Sequence, residues 1–514
     1  MVKRKAAAAA WVILCFGFFM VFRTKGTEPV GILFPGAILL YTVSGCLAVC
    51  AGGRSSRFQQ TLPGSDRALF FILWGILLLA WLPAYLALFP GTFGYDVPEQ
   101  MQQFFGEMPL TAHHPVLHTW LVGIFLQAGN LLFHSYQAGF AVFSLLQGMT
   151  AAGSIVCSLL FLKRRGIPLF LLLAGLAGCA LNPILQILSF NATKDILFGA
   201  FFLYFMTAFL SCLEEGSGFG GKGLNGTSGC GRGLILSGVL MCLLRNQGIY
   251  IILALILFCI LFRVRKGLIG RLGIVLAAAE CFFLFVSQGL EIPSGDSREM
   301  LCVPMQQLAI VWQNRENADI TPWQVEAVEE LVEQEALYQY MPECADPVKS
   351  GFRTDVLRRD PMKYLGLYLA VGRQNPSLYG NALQALTLPY LDGSLYRVPE
   401  TTMEFTFPGA NIWGIRRHSL LPGYEAWLQG VVSDPLWVFL LQPGLAIYLL
   451  VILAGAAIAH KSSRLFLGIL PGVLFLGTIL LGSGALLRYL YPLMLAVPLL
   501  CGLLVYETFG TECR

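Results

Sequence analysis

The sequence predicts an all-α polytopic membrane protein with about 11–13 hydrophobic helices and one mixed or mainly helical extracytoplasmic domain. Three observations carry this expectation. Hydrophobic residues make up 56% of the 514-residue chain and charged residues only 12%, about half the 25% usual in soluble domains. Apolar runs of about 17–25 residues recur, long enough to cross a hydrocarbon core. The runs are continuous rather than alternating, which argues against an outer-membrane barrel.

Charge sets the topology. The net charge is +4, but residues 291–433 hold 18 acids and 11 bases, and the remainder 12 acids and 23 bases. Basic residues between spans mark the cytoplasmic side. The acidic block is therefore expected outside the membrane and the N-terminus inside. The basic remainder reports topology and not nucleic-acid binding.

The segments follow in order. Residues 1–67 read as a two-helix anchor with spans at 6–23 and 29–51; no small-residue cleavage site follows the first, so it is expected to be retained. Residues 68–290 form a transmembrane module with an outer-face catalytic loop at 90–115. Spans are expected at 68–89, 137–161, 167–190, 195–213 and 272–290. Segment 116–133 cannot cross without placing Lys163, Arg164 and Arg165 outside, so it is expected to lie along or dip into the outer interface. Segment 234–262 is interrupted by Arg245 and flanked by basic residues at both ends. Two short helices meeting at Arg245 satisfy both flanks, and broken helices at membrane depth line a cavity. Residues 291–433 are the outside domain, with a helix opened by Thr321 in a capping pattern. Residues 434–514 hold three last spans, at 435–458, 465–484 and 486–507.

The 14 cysteines are scattered, mostly in spans. There is no Cys-x-x-Cys and no zinc spacing; a Cys302–Cys344 disulfide stays open. The glycine-rich stretch 216–223 superficially fits nucleotide-binding loops. It lacks a preceding strand, and Gly223 stands where Ser or Thr is required, so no nucleotide-binding motif is expected.

The candidate site residues gather at span exits. Asp96 lies seven residues beyond the span end at Phe89, with Glu99 one helical turn on. They read as a catalytic base and its helper, as metal ligands, or as helix caps. His113 and His114 precede the helix-starting Pro115 and can cap the helix, bind a metal or touch a phosphate. Lys194-Asp195 at a second outer loop offers a phosphate-binding cation and a second acid, or a self-neutralising cap. Arg245 must face a cavity or partner at membrane depth. Arg488-Tyr489 stands at the outer start of the last span, where arginine is the preferred fork for phosphate and snorkelling is the alternative. Gln306 and Gln307 can bind sugar hydroxyls or cap a helix.

With these residues placed, the chain resembles the GT-C superfamily of polytopic membrane glycosyltransferases. The shared features are Asp96 in the first large outside loop, His114-Pro115, Lys194-Asp195, a broken helix at Arg245, and the late Arg-Tyr-x-Tyr-Pro at 488–492. More closely, it looks like an uncharacterised family of multi-pass membrane proteins from Gram-positive bacteria, which shares the Pro-x-Gln-Gln element at 304–307 and Asp-Pro-Val-Lys at 346–349. The resemblance implies a polyprenyl-phosphate-linked sugar donor, inverting transfer to an envelope glycan or lipid acceptor on the outer face, and a divalent cation (Mg or Mn). On this reading Asp96, Glu99, His114 and Asp195 are catalytic, and Asp96, Glu99 and His113 hold the metal. Lys194, Arg245, Arg488 and Tyr489 bind the donor phosphate, while Gln306 and Gln307 bind the acceptor. The alternatives are a transporter or flippase of a lipid-linked saccharide and a structural envelope-assembly protein.

Overall fold

The computed structural model describes residues 65–94, 96–215, 227–295, 297–391, 411–434 and 443–509, with Trp437 and Leu441. The expected spans at 6–23 and 29–51 lie outside these residues. Ten helices build the first part: α1 (Asp66–Ala87), α2 (Asp96–Phe104), α3 (Val116–Phe133), α4 (Tyr136–Arg164), α5 (Leu169–Leu181), α6 (Pro183–Ser189), α7 (Lys194–Glu214), α8 (Thr227–Leu244), α9 (Gln247–Leu261) and α10 (Lys266–Leu284). A second group follows, with α11 (Cys302–Gln313), α12 (Pro322–Leu331), α13 (Pro361–Gln374) and α14 (Pro376–Leu391) joined by short helices. The chain closes with α15 (Pro422–Ser433), α16 (Leu445–Ala459), α17 (Ser463–Leu480) and α18 (Leu487–Phe509). The described residues form isolated β-bridges only. Among the described residues, seven helices are long and apolar enough to cross a membrane, or eight if α5 and α6 count as one bent span. The chain is a helical, multi-pass membrane protein.

Ion pairs gather the basic residues at one end of the bundle. Asp66 at the start of α1 holds Lys163 and Arg164 at the end of α4. Glu214 at the end of α7 holds Arg165 and Arg464, and Glu215 holds Arg271 of α10. The opposite end carries the candidate site.

Helix breaks follow local chemistry. Segment 167–190 is not one straight span: it bends by 63° between α5 and α6. There Asn182 Oδ1 accepts from the amides of Ile184 and Leu185, and Pro183 opens the new helix, so a fresh N-terminus is capped in mid-segment. Segment 234–262 breaks at Arg245-Asn246 and reverses. The start of α8 lies at the basic end, where Gly231 meets Arg271, and α9 returns there through Phe258 and Phe262 against Phe466.

Helix α3 qualifies as a span by length and composition, but packing holds it to the site end. His118 and Phe125 both lie beside Phe143 of α4. Gly129 and Gly139 cross with no space for a Cβ on either, the close backbone approach that small residues permit between membrane helices. Both contacts fall on the first half of α4, about 30 Å of helix rise from Lys163.

Residues 301–379 build their own core around Trp312, Val328, Leu337 and Leu367, whereas Tyr390 at the end of α14 joins the main membrane core. Trp413, Ile415, Leu428 and Val432 also join it. In the second group Gln324 Oε1 accepts from the Thr321 amide at 2.9 Å, completing the cap on α12. Cys302 and Cys344 are free thiols.

Candidate functional site

Two loops from distant parts of the sequence are clasped to each other by backbone. The Thr92 amide donates to Phe190 O (3.0 Å) and the Ala192 amide to Thr92 O (2.6 Å). Asn191 Nδ2 adds a bond to Thr92 Oγ1 at 3.1 Å, and Gln147 Nε2 braces the second loop at Ser189 O and Asn191 O. This clasp sets the N-terminus of α2 beside the N-terminus of α7. Asp96 and Lys194 thereby meet across nearly one hundred residues of sequence. Asn191 is 1% exposed, and its side chain serves the clasp.

A continuous chain of charged and polar side chains results. Glu99 Oε2 lies 3.4 Å from His114 Nε2, and His114 Nδ1 lies 3.3 Å from Lys194 Nζ. Lys194 Nζ is 3.3 Å from Asp96 Oδ2, which Arg488 approaches at 3.5 Å. Arg488 Nε reaches Asp195 Oδ2 at 3.5 Å, and Asp195 Oδ1 takes Arg245 at 2.8 Å. Tyr489 lies between the two guanidinium groups, its ring centroid 5.0 Å from Arg245 and 5.4 Å from Arg488. Thus Asp96, Glu99, His114, Lys194, Asp195, Arg245, Arg488 and Tyr489 come together from α2, the loop before α3, α7, the α8–α9 break and α18. The cluster grades from open to closed: the side chain of Glu99 is 39% exposed, that of Asp96 19% and that of Asp195 0%.

Burial alone would raise the Asp96 pKa, but Lys194, Arg488 and His114 outweigh it and hold the carboxyl far below the usual range. Glu99 is lowered by its hydrogen bond to His114, against partial burial. His113 is lowered by burial and by the neighbouring His114.

Two expected residues stand apart. Gln306 Nε2 donates to Met341 O and Cys344 O, and Gln307 bonds Tyr379 O and Tyr368 Oη. Both amides brace the 301–379 core, and none of these bonds joins the charged chain. Met341, Cys344 and the adjacent Ala345 matter indirectly, because the Ala345 amide donates to Ser483 O (2.6 Å) and Tyr390 to Gly484 O (3.1 Å). The second group thereby holds the turn that leads into Arg488. Among the described residues, Asp96, Glu99 and His113 do not bring three ligand atoms within 4.8 Å of one another. Lys194 and Arg488 flank the Asp96 carboxylate instead, and their charge opposes a divalent ion there, so the arrangement does not fit the expected metal.

Gln100 and Gln103 were not singled out by sequence. Gln103 Nε2 holds Glu99 at 3.1 Å and Gln100 Oε1 meets His118 Nδ1 at 2.8 Å. The signal was present in their spacing: 96, 99, 100 and 103 share one helical face.

Comparison with known proteins gives the following. No curated protein matches. Two crystal structures of ArnT from Cupriavidus metallidurans are similar. The one bound to undecaprenyl phosphate has 15% identity over 87% of this chain and 79% of that one, with a TM-score of 0.32. The apo form has 14% identity over 87% and 78%, with a TM-score of 0.31. The family of unknown function DUF6020 matches residues 106–509, a stretch that includes His114, Lys194, Asp195, Arg245 and Arg488 and begins after Asp96 and Glu99. As that match spans more than three quarters of the chain, the protein belongs to DUF6020.

Proposed function

We propose that the protein is a membrane glycosyltransferase of the GT-C type that moves a sugar from a polyprenyl-phosphate donor to a hydroxyl of an envelope acceptor at the outer face. The observation that carries this reading is the single cluster of three cations, Lys194, Arg245 and Arg488, with the carboxylates Asp96 and Asp195, at the end of the bundle opposite the basic end. Such a cluster matches what the chemistry needs: cations for the departing phosphate and a carboxylate for the proton of the attacking hydroxyl.

In the proposed step the acceptor oxygen bonds to the anomeric carbon as the carbon–phosphate-oxygen bond breaks. Asp96 takes the hydroxyl proton, and polyprenyl phosphate leaves with the bonding pair. Asp96 is a weak base while Lys194 and Arg488 hold it. A donor phosphate drawn to these two cations loosens that grip and raises the basicity of Asp96 only when donor is bound. Glu99 and His114 orient Lys194, and Asp195 fixes the forks of Arg245 and Arg488.

An apolar groove of about 550 Å³ between α5, α16 and α18 supports a lipid-borne donor, with Leu172, Gly175, Leu185, Met494, Pro498 and Val505 among its lining. It runs along α18 from Met494 to Val505, the helix that carries Arg488 in its first turn, a layout suited to an isoprenoid chain whose phosphate lies at that arginine.

The test is an envelope-glycan profile of a deletion strain complemented at equal expression with wild type or Asp96→Asn. Only wild type is expected to restore the missing sugar. Equal restoration by Asp96→Asn overturns the role given to Asp96, and an unchanged glycan profile on deletion overturns the function.

A further inference from the structure

The basic end of the bundle holds a second cluster that the transferase reading does not use. Cys212 lies on the last turns of α7, Glu215 directly follows that helix, and Cys230 lies at the start of α8. One ligand atom from each falls within 4.8 Å of the others. The two sulfurs are 3.1 Å apart. Arg271 of α10 donates to Cys212 Sγ (3.2 Å) and to Glu215 Oε2 (2.9 Å), while Cys230 Sγ approaches Ala208 O at 3.3 Å. Arg265 donates to the Glu215 carbonyl.

We propose that Cys212, Cys230 and Glu215 bind a thiophilic divalent cation of the zinc class. Two sulfurs and a carboxylate are the donors such an ion selects. Tetrahedral zinc with sulfur at about 2.3 Å separates two thiolates by roughly 3.8 Å, so a small spreading of the sulfurs admits the ion. Binding displaces the two thiol protons. Two thiolates and a carboxylate then carry three negative charges, which the ion and Arg271 neutralise together. Arg271 thus aligns two of the donors and completes the charge balance.

Position favours metal over a disulfide. The cluster shares its end of the bundle with Arg165, Arg464, Arg265 and Lys163, the residues that mark the cytoplasmic side, where thiols stay reduced. A disulfide would also have no use for Glu215. The consequence lies in the hairpin itself. Helices α7 and α8 are clipped by the ion at one end, and at the other they carry Asp195 and lead into Arg245, which pair at 2.8 Å. Metal at the basic end steadies the helix pair that presents the charged cluster.

The experiment uses the purified full-length protein in detergent, stripped with chelator under reductant and titrated with Zn²⁺ or Co²⁺ alone. One ion per chain is expected, and the Co²⁺ form should show a thiolate charge-transfer band. Cys212→Ser and Cys230→Ser should each lose that band, and Glu215→Gln should weaken Zn²⁺ binding by roughly 100-fold or more, because even outer partners of a metal site cost 10–100-fold. Cys259→Ser, elsewhere in the bundle, should bind as wild type. Protection of Cys212 and Cys230 from alkylation by Zn²⁺ reads the same site in wild type, without any variant. No binding, a stoichiometry and spectrum unchanged by Cys212→Ser, or a Cys212–Cys230 disulfide recovered from acid-quenched cells overturns the proposal.

Discussion

The helical hairpin of α7 and α8 has an acid–arginine cluster at each end, and the two differ in burial. At the site end Asp195 is fully buried between Arg245 and Arg488, whose side chains are 10% and 15% exposed. At the basic end Glu215, which follows α7, and Arg271 are 18% and 28% exposed, and the neighbouring pair of Asp66 on α1 with Arg164 on α4 is 37% and 52% exposed. Water shares the charge in the second case and is excluded in the first. Buried charges must hold one another, and removing one leaves the rest without solvation. The basic-end pairs fix which helix ends meet, whereas the site-end pairs hold Lys194, Arg245 and Arg488 in one cluster, which the proposed function assigns to the donor phosphate.

The comparison is tested most strongly at Asp195. Asp195→Ala should cost about 3–5 kcal/mol, read as a large drop in thermal stability in detergent; a near-wild-type melting temperature would mean that water reaches Arg245 and Arg488. Asp96→Asn should keep the fold but lower transfer by about 10²–10⁴-fold, measured with a labelled polyprenyl-phosphate sugar. Arg488→Lys keeps the charge and loses the fork; it should raise the KM for donor about tenfold, or about 1.4 kcal/mol, more than it lowers kcat.

The pH dependence sharpens the same contrast. The folded-state pKa of Asp96 lies below its ordinary value of 3.8. Its contribution to stability is therefore fully present above that ordinary value and lost as pH falls toward the folded one. Acid unfolding of wild type should steepen below about pH 4, and Asp96→Asn should flatten that limb; identical limbs would show that the cations do not hold Asp96. The smallest effect belongs to Asp66→Ala, within about 0–1 kcal/mol by the same melting assay.

Much of this architecture was legible. The parity of basic loops required α3 to stay at one end and segment 234–262 to reverse at Arg245, because charge cannot be left in hydrocarbon. The cluster residues were legible for the same reason: Asp96, Lys194, Asp195, Arg245 and Arg488 stood out as charges at span ends. The bend at Asn182-Pro183 was missed although a capping residue before proline marks it, because the surrounding apolar run masked the cap. Gln306 and Gln307 carry no charge, and an amide can serve a ligand or a backbone carbonyl equally well; the carbonyls of Met341, Cys344 and Tyr379 are their partners here.

The sequence by itself determined that the chain is helical and crosses a membrane repeatedly, which end of the bundle is basic, and which charged residues have no place in lipid. Hydrophobic length and charge are local properties, and each span reveals them alone. The tertiary structure decided which charges meet. The clasp of Thr92 to Phe190 and Ala192 joins Asp96 to Lys194, and the turn held by Ala345 and Tyr390 brings in Arg488. It also brought Cys212 to Cys230 without any recognisable ligand spacing. Such contacts depend on backbone bonds between segments far apart in the chain, and no pattern within either segment encodes them.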